Sequence, residues 1–318
     1  MTQAPTPTAD TVRRLVRTLL KESAAGAQDA DTAGPALRPV AEGGEHTWWV
    51  GARLVLRLAP DREAALRRRR ELRLRDLVRA HVPVAVPTSV AHGEWTPGLT
   101  YTLDTKVPGV TAEEHDVSAV GEADLAGLLT GLREVPARQA ETLGVPRAPA
   151  RSLEALRRMA VSVAGRLDDA DEFDATRLSQ LTPAAAAQLA AQPGTAVLVH
   201  HALRGEHLVV SADGRVRGVL DWTEAVLGDP AEDIAGLALA VGSGAAVRAA
   251  TLAGYGARPC LRGLWLARCD TVLRLAEHLD GRAATPLPLL RIRLRRAWEA
   301  ILLERVTELR ESGREDDH

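Results

Sequence analysis

The chain has 318 residues, is 46% hydrophobic and 26% charged, and carries a formal net charge of -2. That length fills one large domain or two lobes with separate cores, and the near-neutral charge excludes a whole-protein attraction to nucleic acid or to a membrane surface. The two cysteines, Cys260 and Cys269, supply neither a disulfide framework nor a zinc-ligand spacing, and the cations, 38 Arg against 2 Lys, follow the coding bias of a GC-rich genome and carry no functional reading.

Residues 1–10 are rich in Pro and Thr without an apolar centre, which predicts a disordered tail and not a signal peptide. Residues 11–24 place Val12, Leu15, Leu19 and Leu20 at helical spacing. After a Gly/Asp/Ala linker at 25–34, residues 37–40, 46–50 and 54–58 predict three strands, with turns at Gly43-Gly44 and Gly51-Ala52. The pair Gly43-Gly44 suits a phosphate-cradling loop and equally a plain hairpin turn. Residues 61–81 predict a long helix whose arginine run at 67–70 could grip an anionic partner or form a solvated face paired with Glu63 and Glu71. Residues 82–91, with Pro83 and Pro87, are extended; residues 99–107 predict a strand that Pro108-Gly109 breaks.

The remainder is mainly helical. Helices are predicted over 117–135, 153–167, 175–181 and 183–192, with a Pro/Arg-rich connector at 138–151. Residues 195–233 differ: a short apolar run at 196–199, a polar stretch from His200 to His207, two apolar runs at 208–210 and 216–220 around the turn signal Ala212-Asp213-Gly214, and then Asp229-Pro230 opening a helix over 230–241. Further helices are predicted over 247–255, 261–279 and 289–309, and a frayed tail over 311–318. No run approaches the roughly 20 apolar residues that span a bilayer, so the expectation is a soluble, cytoplasmic protein.

The segment 195–233 resembles the catalytic segment of the aminoglycoside and macrolide phosphotransferases, in which a His-Gly-Asp-Leu-His-x-x-Asn loop precedes a hairpin, Ile-Asp-Trp and Gly-Asp-Pro-x-x-Asp-Leu-Ala. Here the chain reads His200-His201-Ala202 and His207 in the loop, Val219-Leu220-Asp221-Trp222 after the hairpin, Gly228-Asp229-Pro230, and then Asp233-Ile234-Ala235. The resemblance implies an α+β, bilobal, protein-kinase-like fold: a small antiparallel-sheet lobe over 11–108 and a larger, mostly helical lobe over 109–310. It also implies roles. Arg57 stands where a cation pairs the nucleotide phosphates, with Glu71 as its helix partner; Gly43 and Gly44 stand at the nucleotide-covering loop; Thr105 and Val107 bracket the hinge that meets a purine base. Asp221 stands at a Mg²⁺ ligand position, and His207 replaces the Asn that would hold a second. Asp233 is implied to brace the loop from a buried position, and His200 to belong to the scaffold.

Ala202 stands at the catalytic Asp. An alanine can neither orient a hydroxyl nor take its proton, and loss of a general base typically costs about 10²–10⁴ in rate. His201 and Glu206 are the loop groups that could substitute. Residues 261–279, implied to face an acceptor pocket, offer Asp270 and Glu277 with Trp265 and Arg268, poor material for a polycationic sugar. The reading is therefore a pseudokinase that binds a partner protein, a peptide or a small molecule, with ATP or GTP and Mg²⁺ held weakly or not at all; such proteins occur in bacterial natural-product pathways, including those of ribosomal peptides. The alternatives are a slow small-molecule O-phosphotransferase and a nucleotide-binding sensor.

Overall fold

The computed structural model describes residues 6–22, 36–40, 46–194, 196–282 and 284–301. They fall into two compact units, one within Met1–Ala80 and Ala85–Pro108, the other within His81–Val84 and Gly109–His318. Gly43 and Gly44, the whole 25–34 linker and the tail beyond 301 lie outside the described residues.

The first unit is an antiparallel sheet covered by two helices. Helix α1 (Ala9–Glu22) precedes β1 (Leu37–Pro39), β2 (Thr47–Val50) and β3 (Leu54–Leu58); α2 (Arg62–Arg79) then leads to β4 (Ser89–Thr96) and β5 (Leu99–Thr105). The strand order is β1-β2-β3-β5-β4. Because side chains alternate along a strand, Leu56 and Leu58 of β3 and Tyr101 and Leu103 of β5 share one face, where Val12, Val16 and Leu19 of α1 pack on them. Arg57 pairs with Thr102 and Val55 with Asp104 across β3 and β5, so these four share the opposite face. Helix α2 starts after Asp61, whose carboxylate accepts the Ala64 N–H at 2.7 Å. Part of the stretch read as merely extended is β4, whose register shifts twice against β5; its Gly93 leaves the space that the Tyr101 ring fills, since a Cβ there would lie 2.9 Å from the ring.

The second unit contains β6 (Val110–Thr111), α3 (Ala119–Glu134), α4 (Ala137–Thr142), α5 (Leu153–Asp169), a 3-10 helix (Ala175–Gln180), α6 (Pro183–Gln188), β7 (Val197–Val199), a second 3-10 turn (Gly205–His207), β8 (Leu208–Val210), β9 (Val216–Val219), β10 (Val226–Gly228), α7 (Ala231–Val241), α8 (Ser243–Leu252), α9 (Ala257–Leu279) and α10 (Leu287–Ala297). The connector at 138–151 is thus partly helical, and the predicted helix at 175–181 is a 3-10 helix. Strands β8 and β9 form a hairpin closed by Gly214 at φ 74, with β6 on its outer edge, while β7 pairs with β10. Helix α9 is buried along much of its length. Trp265 and Arg268 are 6% and 2% exposed, and the Arg268 guanidinium lies 4.8 Å from the Trp265 ring and 5.2 Å from that of Trp298. This stretch therefore builds core, and the implied pocket-facing role of Trp265 and Arg268 is overturned by their packing against Trp298.

Cys260 and Cys269 are free and fully buried in α9, and burial pushes the Cys269 thiol up to about 12. Since the thiolate is the reactive form, neither is expected to react with iodoacetamide under native conditions; mass spectrometry should find both alkylated only after denaturation. Among the described residues no helix is long and apolar enough to cross a membrane.

Candidate functional site

In the first unit, the polar face of the sheet and α2 bring four charges together. Arg57 Nη2 lies 2.9 Å from Glu71 Oε1 and 3.0 Å from Asp104 Oδ2, and Arg57 Nε donates to the same Asp104 oxygen at 3.1 Å. Arg75, one turn after Glu71, donates from Nη2 to Asp104 Oδ1 at 3.0 Å, and the Thr102 hydroxyl adds a bond to Oδ2 at 3.0 Å. Glu71, Arg75 and Asp104 are buried, and Arg57 alone retains some exposure. Burial by itself would raise the Asp104 carboxyl, but Arg57 and Arg75 outweigh it and hold the group at about 2.

The implied pair Arg57 and Glu71 is thus in contact, within a network that sequence reading missed by half. Asp104 follows Thr100 and Thr102 at a period of two, which was the available signal; Arg75 lies four residues after Glu71. Thr105 donates its N–H to Thr88 O and accepts from Thr88 N–H through its hydroxyl, and Lys106 N–H goes to Arg53 O. Val107 is buried at 8% exposure, and its N–H makes no backbone hydrogen bond among the described residues.

In the second unit, one carboxylate fixes the path of the loop after β7. Asp233, in the first turn of α7, accepts the His200 N–H on Oδ2 and the His201 N–H on Oδ1, both at 2.8 Å. It is 2% exposed, and burial pushes its carboxyl up to about 7 against the pull of those two donors. His200 is fully buried and meets the Trp222 ring edge-on at 4.6 Å. Its Nδ1 accepts the Ala202 N–H at 3.3 Å and its Nε2 lies 3.0 Å from the Leu220 carbonyl, which fixes the neutral Nε2–H tautomer. Burial, then His207, push its pKa down to about 3.

Residues His201 and Asp221 take left-handed backbone, at φ 67 and 55, a conformation that costs a non-glycine residue on the order of 1–2 kcal/mol. The Asp221 strain is held by Thr223, whose hydroxyl donates to Oδ1 at 2.5 Å. His207 Nδ1–H donates to the Ala202 carbonyl at 2.7 Å, so in the neutral ring the lone pair is on Nε2, 3.7 Å from Asp221 Oδ2. Two donor atoms at that separation can share one cation whose bonds are about 2.0–2.2 Å long. Among the described residues no three metal-binding side chains cluster, so a cation held by this pair would need further ligands from a bound molecule or solvent.

Ala202 is 5% exposed and its carbonyl is taken by His207 and by the Arg204 N–H at 2.8 Å; its methyl offers no acceptor. Glu206 does not face an empty loop. Its Oε2 lies 3.0 Å from Arg293 Nη2, which also holds Glu113 Oε1 at 2.7 Å. Burial raises the Glu113 carboxyl, whereas that of Glu206, despite burial, is drawn below the usual range by a backbone N–H and Arg293. A low-pKa carboxylate already committed to an arginine is a weak base. The His201 ring is exposed.

The His200 shift gives a pH prediction. Its folded value near 3 lies below the ordinary 6.5, so its contribution is complete above pH 6.5 and is lost as pH falls toward 3. Asp233, raised to about 7 from 3.8, runs the other way over much of that window. The stability gap between the native chain and His200→Gln isolates the histidine: it should narrow by about 1.4 kcal/mol per pH unit below 6.5, as read by urea unfolding at a series of pH values.

Residues 36–264 match the profile described as Phosphotransferase enzyme family. Among solved structures, the chain is similar to the GDP and kanamycin complex of APH(2")-IIIa, at 18% identity and TM-score 0.60, covering 95% of this chain and 99% of that one. It is also similar to apo macrolide 2'-phosphotransferase MphH from Brachybacterium faecium, at 21% identity and TM-score 0.57, covering 89% and 99%. An uncharacterised protein of Bacillus subtilis (strain 168), YcbJ, is 49% identical over 41 residues, a match spanning 13% of each chain.

Proposed function

The chain belongs to the phosphotransferase enzyme family, and from that premise we propose that it is a pseudokinase: a protein that binds nucleotide through a divalent cation without efficient phosphoryl transfer, and whose output is the binding of a partner protein, peptide or small molecule. The observation that carries this reading is the contrast within one loop. His207 Nε2 and Asp221 Oδ2 face each other at 3.7 Å, while the base position beside them is the methyl of Ala202.

In this reading Asp221 and His207 hold the cation, which when bound neutralises phosphate charge. Imidazole is a poor ligand for Mg²⁺ but a good one for softer divalent ions, so Mn²⁺ is the better partner. Arg57 supplies the cation for a phosphate, steered by Glu71 and Asp104, and the Val107 N–H is the group left to meet a purine. Asp233 and His200 keep the loop in shape.

The experiment is thermal melting with ATP and GTP, each with Mn²⁺ or Mg²⁺. A nucleotide at 100 times its Kd adds about 2.7 kcal/mol. The expected result is a shift that is larger with Mn²⁺ than with Mg²⁺ and is lost in Asp221→Asn. No shift under any condition would remove the nucleotide from the proposal.

A second reading, a slow small-molecule kinase, is favoured by the exposed His201 ring carried on strained backbone, because such strain concentrates at working sites. Kanamycin and a macrolide are the hydroxyl acceptors to offer. Acceptor-dependent ADP formation that vanishes in His201→Gly, where the backbone is relieved, would favour this reading over the first.

A further inference from the structure

The second unit has a cavity of about 320 Å³ at the start of β7, the end opposite the loop. Its walls come from the C-terminal turn of α3 (Arg133), the approach to β7 (Ala190 to Gln192, Gly194, Ala196 and Val197), the Asp229-Pro230 entry to α7 and the opening of α9 (Tyr255, Arg258, Arg262). The volume is at the low end of small-molecule sites.

The charges on its wall do not balance. Arg262, 2% exposed, is fully engaged: Nε donates to Asp229 Oδ2 at 2.5 Å, Nη1 to Leu189 O at 3.2 Å and Nη2 to Arg151 O at 2.7 Å. Asp229 also accepts the Ala231 N–H at 3.0 Å. These two form a neutral floor with no charge to spare. Above it, Arg133 lies over the Tyr255 ring at 5.3 Å, and Arg258 makes one long bond of 3.3 Å to the Ala190 carbonyl. Among the described residues neither Arg133 nor Arg258 has a carboxylate within ion-pair distance, and the two line the same cavity. The lining also includes the apolar residues Ala190, Ala196, Val197 and Pro259.

Two unbalanced, fork-shaped donors over an apolar, aromatic-edged hollow match one ligand chemistry. We propose that this cavity binds a small organic anion, with a phosphate or carboxylate head held by Arg133 and Arg258 and a compact apolar or aromatic body against Tyr255 and the alanine wall. Bidentate recognition of an oxyanion is what arginine does best, and the Tyr255 ring adds a face for the body of the ligand. The floor begins α7, the helix whose Asp233 fixes the loop, so an occupied cavity braces the element on which the loop depends. This inference is independent of whether the loop holds nucleotide.

The test uses phenyl phosphate and benzoate as probes in titration calorimetry on the full chain, with benzyl alcohol as the uncharged control. Arg133→Gln/Arg258→Gln is compared with Arg217→Gln/Arg274→Gln, which removes the same charge from exposed positions elsewhere. The expected result is saturable one-to-one binding of at least one anionic probe, weakened about tenfold or more by the cavity pair, unchanged by the control pair and absent for benzyl alcohol; the stronger probe identifies the head group. All these positions are exposed, and equal melting temperatures would show both variants folded. No saturable binding of either anion at millimolar concentration, or equal binding in the two variants, would overturn the proposal.

Discussion

Replacing Asp104 with alanine is expected to destabilise the first unit by about 3–5 kcal/mol, the range for removing one partner of a buried ion pair. The cost comes from what remains. Arg75, buried with Asp104, loses its bond at 3.0 Å, and its Nη1 already has no hydrogen-bond partner; Arg57 is left with Glu71 at 2.9 Å among the bonds described above. Glu71 compensates Arg75 only weakly, since its Oε1 is 3.9 Å from Arg75 Nη1, an ion pair beyond hydrogen-bond distance. The Asp104 carboxyl, held near 2 against 3.8, contributes about 2 kcal/mol that is complete above pH 3.8 and lost as pH falls toward 2. Urea unfolding read by tryptophan fluorescence should show the loss in Asp104→Ala at neutral pH, and the gap to the native chain should close by about that amount in acid. Replacing Arg57, Arg75, Glu71 and Asp104 together by well-packed apolar residues should cost far less than the single change, because it leaves no buried charge unpaired.

Ala202→Asp is the substitution with the largest expected effect on chemistry. It restores an acceptor beside His207 and Asp221, and a positioned general base is worth about 10²–10⁴ in rate. With water as acceptor, the gain reads out as ADP formation from ATP in the presence of Mn²⁺. The backbone there is already in place: Ala202 N–H and carbonyl are bound by His200 and His207, and Asp233 holds the two preceding amides. The site is 5% exposed, so the new carboxylate must turn toward solvent, and a melting temperature close to that of the native chain is part of the expected result. Adding Asp221→Asn should erase the gain.

Which features the sequence disclosed follows from their range. The β8–β9 hairpin announced itself through Asp213-Gly214 between apolar runs, α7 through Asp229-Pro230, and the Arg57 face of β3 through plain alternation. Each is a local rule acting over a few residues. Strand β4 did not, because its two register shifts against β5 blur the period of two, and β10 is only Val226–Gly228. In the candidate site, the loop residues were legible because they are contiguous. The partners that decide their chemistry were not. Asp104 reaches Arg57 across 47 positions, and Arg293 reaches Glu206 across 87; no spacing rule connects either pair. The same holds for Trp265 and Arg268, whose helical spacing fits a pocket wall as well as the core they pack with Trp298.

The most direct test of the central claim is the rate at which the native chain, beside Ala202→Asp, turns ATP or GTP over with Mn²⁺ under conditions where melting registers binding. The account predicts a nucleotide-bound native protein that forms no ADP or GDP above the protein-free control, and a variant that does. Native turnover equal to that of the variant would contradict it, because a base other than residue 202 would then be at work in the loop.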